Sequence, residues 1–288
     1  MRAWYVARMY KLTRRLAAGI ALALGALAAQ AQAPVLEEVP FITSPDNVTL
    51  EMLRVAGVRA GDHVIDLGSG DGRIVILAAR RFGATGMGVE IVPDLVQQSL
   101  RNARDAGVAD KVEFRVQDLF QTELDAASVV TMYLLPEVNL QLRPRLLQLK
   151  PGTRVVSHDW DMGDWQPDQT TTVAVPDKKV GLEKSSRIHL WTVPARVDGL
   201  WCGTGPLREF SLQLVQRYQQ FDAKLTRRGR TRELTGTIEG TMLRTPETKV
   251  GSLVLEARGD ELIVAGGSGP IALARGQAFK RAAANGCG

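Results

Sequence analysis

With 288 residues, 45% of them hydrophobic and 23% charged, and a formal net charge of +5, the chain has an ordinary globular composition and enough length for two cores. Five of its 36 basic residues (Arg2, Arg8, Lys11, Arg14 and Arg15) fall in the first 33, which contain no acid, so from Pro34 onward 31 basic residues face 31 acidic ones. That balance gives no reason to expect a nucleic-acid partner or a purely electrostatic membrane partner.

The basic residues precede an uncharged run, Leu16 to Ala29, whose 14 residues are short for a spanning helix. Ala29-Gln30-Ala31 and Ala31-Gln32-Ala33 offer small-residue cleavage positions, so residues 1–33 read as an export signal. An uncleaved anchor is the other reading. In both, the basic flank stays in the cytoplasm and the remainder lies in the periplasm or at the outer face of the inner membrane. Arg14-Arg15 matches a twin-arginine signal only weakly.

Pro34 to Phe41 is a linker. Ser44-Pro45 is expected to open a helix, with Ser44 as N-cap and Leu50, Leu53, Val55 and Val58 on its apolar side. Val64 to Leu67 form a short apolar strand that ends in Gly68-Ser69-Gly70-Asp71-Gly72, and Ile74, Leu77, Ala78 and Phe82 then recur at helical spacing. Strands follow at 86–90, 112–116, 129–135 and 154–158, with helices led by Pro93 and Pro136 between them. This alternation predicts a parallel, doubly wound, Rossmann-like α/β sheet over residues 34–194, completed by strands at 171–175 and 187–193, with its ligand site at the C-terminal strand ends.

From about Pro194 the period changes to two, as in Phe210, Leu212 and Leu214, with frequent glycine turns. Residues 195–288 therefore read as a small antiparallel β domain, a barrel or a sandwich. Cys202 and Cys287 bracket it. In an exported chain they read as one disulfide, with two unrelated thiols as the alternative. Arg227-Arg228-Gly229-Arg230-Thr231-Arg232 reads as a solvated hairpin or, less simply, a contact for an anionic partner or lipid headgroup. Trp201 reads as a core anchor.

A strand running through glycines into a helix brings backbone close to a ligand and leaves free amides for an anionic group. Arg73 stands where a dinucleotide fingerprint needs its third glycine, and Asp66 would repel a pyrophosphate. A carboxylate there suits an ammonium. S-adenosyl-L-methionine carries an ammonium, a sulfonium and a carboxylate. Glu90 ends the second strand, placed for ribose hydroxyls, and Asp118 ends the third, placed for an adenine amino group. Each acid singly has a plainer reading as a helix cap or turn residue.

The sequence resembles the class I S-adenosylmethionine-dependent methyltransferases, and within them the seven-strand protein-lysine methyltransferases that act on inner-membrane proteins of mitochondria. The resemblance covers residues 42 to about 168. It rests on Ser44-Pro45 through Met52-Leu53, Asp66 through Arg73, Gly88-Val89-Glu90, Gln117-Asp118-Leu119-Phe120, Tyr133-Leu134-Leu135-Pro136-Glu137-Val138-Asn139 and Pro151-Gly152 through Ser157-His158. It implies cofactor contacts at Asp66, Gly68, Gly70, Glu90 and Asp118, and within the same motifs Ser69, Gly72 and Gln117 belong to the candidate pocket. It implies methylation of a protein lysine or another amine, with a membrane protein or membrane surface among the candidate substrates. The export signal and the added β domain depart from the family's pattern.

Methyl transfer needs a neutral amine aligned in a dry site. Tyr133, Glu137 and His158, at the ends of the fourth and fifth strands, are the candidates to hold and deprotonate it, with Asp159, Trp160 and Trp165 near them. Their plainer readings are a core aromatic, a first-turn helix carboxylate and a strand-end hydrogen-bonder. The acids and glycine of 159–165 do not follow a calcium-loop spacing, so no metal is expected. The alternative to an enzyme is an exported binding protein that keeps the fold with little or no catalysis.

Overall fold

The computed structural model describes residues 42–178, 183–283 and 286–287; the leader, its cleavage positions and the linker to Phe41 lie outside the described residues. The first half of the chain supplies strands β1 (His63–Leu67), β2 (Thr85–Glu90), β3 (Val112–Val116), β4 (Val129–Met132), β5 (Arg154–His158), β6 (Gln169–Ala174) and β7 (Ser185–Thr192). Helices α1 (Asp46–Val55), α2 (Arg73–Phe82), α3 (Pro93–Asp105) and α4 (Pro136–Leu146) lie between or before them. The sheet order is β3-β2-β1-β4-β5-β7-β6. It reverses beside β1, and the open ends of β1 and β4 therefore form the switch point where such sheets bind ligands.

The period of two in each strand sends alternate side chains to opposite layers. Val64, Val129 and Val156 pack with Val48, Met52, Leu53 and Ile74 on one face. Ile65, Val130 and Val155 pack with Leu142, Leu146 and Trp191 on the other. All of these are buried, which is why the strands read as continuous apolar runs.

Three expectations need correction. The sheet is not wholly parallel: β7 runs antiparallel to β5 and to β6. The connection from β6 to β7, residues 175–184, is too short for the crossover that a parallel neighbour requires. Ser44 does not cap α1. The N-cap is Pro45 without a side-chain bond; of the expected apolar side Leu53 is buried in α1 and Val58 just after it, while Leu50 and Val55 are only partly buried and Val48, Thr49 and Met52 complete the buried face. The fourth strand stops at Met132, which leaves Tyr133 to Leu135 as the loop into α4.

The second half forms a closed antiparallel barrel of eight strands: β8 (Gly199–Gly203), β9 (Phe210–Arg217), β10 (Gln220–Arg227), β11 (Arg230–Glu239), β12 (Met242–Arg244), β13 (Leu253–Arg258), β14 (Glu261–Gly267) and β15 (Ala278–Arg281). Each strand pairs with the next, and β15 returns to β8. Closure removes the edges an open sheet would expose. Trp201, Phe279, Leu262 and Val264 are fully buried in its core, and the indole N–H of Trp201 donates to Val197 O at 2.8 Å. Cys202 and Cys287 form a disulfide, Cα to Cα 5.4 Å, which ties the chain after β15 to β8.

The two-residue turn between β9 and β10 seats the barrel on the sheet. Tyr218 stacks on the buried Trp165 at 6.2 Å and donates to Asp164 Oδ2 at 3.0 Å, and Gln219 Nε2 donates to Gln166 O at 2.6 Å. Arg143 of α4 lies over the Tyr218 ring at 5.8 Å. Trp165 is thus a packing element at this junction.

Candidate active site

The glycine loop bends back between β1 and α2. Gly68 N and Ser69 N both donate to Val89 O at 2.9 Å, which binds the loop to β2. Gly68 sits at φ +74°, and a Cβ there would meet Leu134 Cδ2 at 2.9 Å. Gly72, at φ +81°, makes room for the Phe114 ring, 2.7 Å from where its Cβ would be, so both its left-handed backbone and the packing beneath the loop call for glycine. Helix α3 holds the loop from below: Ser99 Oγ donates to Gly70 O and Asn102 Nδ2 to Asp71 O, each at 2.9 Å. Arg73, the residue in place of a third glycine, pairs with Asp71 at 2.6 Å and donates to Ser44 O at 2.8 Å. It fastens the residues ahead of α1 to the loop.

Three acids stand at successive strand ends, as read from the sequence. Asp66 is buried, and Thr131 Oγ1 from the paired position on β4 donates to its Oδ1 at 2.7 Å. Burial pushes its carboxyl up to about 7 against that hydrogen bond, and the charges of Glu90 and Asp71 add to the effect. Glu90 is fixed by three backbone donors: Gly70 N at 3.0 Å, Ile91 N at 2.8 Å and Val92 N at 3.1 Å. Its carboxylate is thereby turned toward the glycine loop. Asp118 caps the short helix Leu119–Gln121 by accepting from Phe120 N at 2.8 Å. Gln117 Nε2 turns to Thr122 Oγ1 at 3.1 Å, inside its own loop.

This pocket fits the cofactor. A buried carboxyl beside two other acids is relieved by a bound cation such as an ammonium. In the same loop Ser69 Oγ is buried and has no hydrogen-bond partner among the described residues. Ile91, 62% exposed, and Val116 present apolar surface at the ends of β2 and β3, where an aromatic base can lie.

At the ends of β4 and β5, Tyr133 and His158 stack with ring centroids 3.9 Å apart. His158 is buried, and both ring nitrogens are engaged: Nδ1 with Ser44 Oγ and Nε2 with Ser186 Oγ, each at 2.8 Å. Burial pushes its pKa down to about 4, and the nearby Lys178 ammonium adds to that against the pull of Asp159. It is neutral at physiological pH and has no free nitrogen with which to take a proton. Tyr133 is half-buried, and its hydroxyl has no hydrogen-bond partner among the described residues. Burial and the Asp159 charge push its phenol up, so it stays protonated.

Asp159 takes a left-handed φ of 63°, a conformation that Asp adopts more readily than most residues. It is held by Lys178 Nζ at 2.8 Å and Arg187 N at 2.9 Å. Burial would raise its pKa, yet these donors and His158 hold it below the usual carboxylate range. Glu137 is exposed in the first turn of α4, and Trp160 is 42% exposed beside β5. Asn139 is buried and braces this loop through Ser157 Oγ at 3.1 Å and Trp160 O at 3.2 Å.

Sequence reasoning missed Thr131, Ser44, Ser186, Asn139 and Arg73. Thr131 carried a local signal, as the single polar residue in the Val129-Val130-Thr131-Met132 run, and Arg73 pairs with Asp71 only two residues away. The remaining contacts are joined over 18 residues or more, as Ser44 is to His158, Arg73 to Ser44 and Asn139 to Ser157, and no local pattern encodes such pairs.

Comparison with known proteins adds four findings. A family model described as the ANTKMT methyltransferase domain matches residues 66–169. The chain is 41% identical over 137 residues to a protein-lysine N-methyltransferase of Saccharolobus islandicus (strain REY15A), covering 47% of this chain and 85% of that protein. It is 34% identical over 135 residues to the adenine nucleotide translocase lysine N-methyltransferase of Mus musculus, covering 46% of this chain and 58% of that one. Among solved structures, an RNA methyltransferase from Salinibacter ruber in complex with S-adenosyl-L-homocysteine is 52% identical, covers 54% of this chain and 96% of its own, and superposes with a TM-score of 0.49.

Proposed function

Because this chain belongs to the family of S-adenosylmethionine-dependent protein-lysine N-methyltransferases, we propose that it methylates a lysine side-chain amine of a protein substrate. The observation that carries this reading is the Tyr133 hydroxyl, without a hydrogen-bond partner among the described residues, on a ring stacked on His158 just past the end of β4, the strand that pairs with β1.

S-adenosylmethionine supplies an electrophilic methyl group when bound. Asp66 would hold its ammonium end, Glu90 its ribose hydroxyls, and Asp118 with Gln117 its adenine side, with Gly68, Ser69 and Gly70 leaving room for it. Tyr133 accepts a hydrogen bond from the incoming amine and directs its lone pair inward. His158 is a positioning residue that keeps the phenol ring in place. The Tyr133 and Trp160 rings favour cationic groups at the mouth. Exposed Glu137 attracts the protonated lysine to the water boundary, where solvent takes its proton before the amine enters the drier cleft.

Location belongs to the same proposal. Residues 1–33 direct the chain out of the cytoplasm, and the Cys202–Cys287 bridge supports an oxidising compartment. The substrate is then a periplasmic protein or a membrane protein reached from the outer face. A folded-state export route would let the enzyme leave with its cofactor already bound.

The test is a radiolabelled methyl donor supplied with the protein to periplasmic and membrane extracts. Label recovered as methyl-lysine in a protein band, lost with Tyr133→Phe, is expected. Label on RNA, or none on protein, overturns the reading. Fractionation that finds only the full-length cytosolic species overturns the location.

A further inference from the structure

The barrel contains a cavity of about 900 Å3 at the end away from the sheet. Strands β9 and β10 place it there. Their turn at Tyr218 meets the sheet, whereas Phe210 and Arg227, paired at the other end, line the cavity. Eight residues at ~3.3 Å each separate the two ends by roughly 25 Å. The space exists because β12 has three residues and pairs only with the far part of β11, from Thr237 to Glu239. The first half of β11 is left without a partner on that side, and the segments 245–252 and 268–274 arch over the gap.

The wall is apolar: Leu207, Phe210, Leu225, Leu234, Leu253 and Ala274. Beyond it a void of about 10 Å3, sharing Leu234 and Leu253, shows the interior closing over. The inward-facing rows then change chemistry at the mouth. Along β10 the row is Phe221, Ala223, Leu225, Arg227. Along β11, read outward, it is Ile238, Gly236, Leu234, Arg232. Each ends in an arginine that lines the cavity, and Lys249 adds a third cation. Arg227 and Arg228 share Glu209. Arg232 makes no ion pair among the described residues and reaches only Thr248 Oγ1 at 3.2 Å. The one acid lining the cavity, Glu247, accepts from Ser268 Oγ at 2.5 Å. Leu273, 92% exposed, and Val250 extend the apolar surface to the rim.

A closed barrel of eight strands is about the size that holds one small ligand, and ligand cavities commonly measure about 300–1,000 Å3. We propose that the distal mouth of the barrel binds a single long-chain fatty carboxylate, its hydrocarbon tail along Leu225, Leu234 and Leu253 and its carboxylate on Arg232 and Lys249. The order of the rows matches the ligand: apolar inside, cationic at the opening. Methyl transfer does not depend on this site, so the proposal stands or falls apart from the enzymatic one.

The purified full chain is titrated with a fluorescent polyunsaturated fatty acid, followed by competition with palmitate, octanoate and hexadecanol. Saturable one-to-one binding is expected, with octanoate at least ~100-fold weaker than palmitate, since each lost methylene costs several-fold in affinity. Arg232→Gln with Lys249→Gln, both at exposed positions, is expected to weaken palmitate about ten-fold or more while leaving hexadecanol unchanged. Leu234→Trp, checked for an unchanged near-ultraviolet spectrum, is expected to block all three. Equal affinity for palmitate and hexadecanol overturns the carboxylate site. Absence of saturable binding overturns the proposal, as does binding only to anionic phospholipid vesicles, which would make the mouth a membrane contact.

Discussion

Asp66 concentrates the conflict between folding and binding. Its folded pKa of about 7 lies above the ordinary 3.8, so the folded state gains stability as pH falls through that window and carries the full penalty above 7. The penalty is on the order of 4 kcal/mol. Asp66→Asn should therefore raise the unfolding free energy read from urea melts at pH 8.5 by most of that amount and weaken S-adenosylmethionine binding at the same pH. Wild-type affinity for the cation should rise between pH 6 and 8, and Asp66→Asn should flatten that rise. His158 has the opposite sign. Its folded pKa, about 4, lies below 6.5, so stability drops as pH falls through that window. With Asp66 neutralised, this acid sensitivity should emerge as a falling midpoint between pH 6.5 and 4. His158→Ala would strand the hydroxyls of Ser44 and Ser186 and cost about 3 kcal/mol. Tyr133→Phe should leave the melting temperature and cofactor affinity near wild type while lowering kcat about 100-fold, which separates a group that holds the amine from one that holds the fold.

Among elements, the β9–β10 turn is where the two halves of the chain are joined. Tyr218 takes φ 54°, a conformation that costs a bulky residue about 1 kcal/mol or more, and its stacking on Trp165 and bond to Asp164 hold it there. Tyr218→Ala should destabilise the protein by about 2 kcal/mol. In calorimetry it should split one melting transition into two as the barrel and sheet unfold separately. A single transition at the wild-type temperature would show that the turn does not couple them. The strands themselves were largely legible. β3 and β5 span the residues read from the sequence: β3, at the sheet edge, alternates Val112, Phe114 and Val116 with exposed Glu113 and Arg115, and β5 is marked by the buried Val155-Val156 pair after the Pro151-Gly152 turn. The direction of β7 was not legible, since direction depends on which neighbour it pairs with.

For the whole molecule, the Cys202–Cys287 bridge closes a loop with a sequence separation of 85, which contributes about 4 to 5 kcal/mol in the chain-entropy account. Reduction, or Cys202→Ser with Cys287→Ser, should lower the melting point of the barrel while the sheet's cofactor binding persists. That outcome can be read by thermal scans with and without S-adenosylmethionine. The sequence by itself determined the sheet, its glycine loop, the three acids at strand ends and the change to period-two texture near Pro194, because each is a local pattern of apolar spacing, turn residues or strand termini. Only the tertiary structure decided that Asp66 meets Thr131, that Ser44 serves His158 instead of capping α1, that Trp165 packs against Tyr218, and that the β strands close into a barrel with an open end. Those outcomes depend on contacts between residues far apart in the chain, where burial and hydrogen-bond satisfaction act on whichever groups the fold brings together.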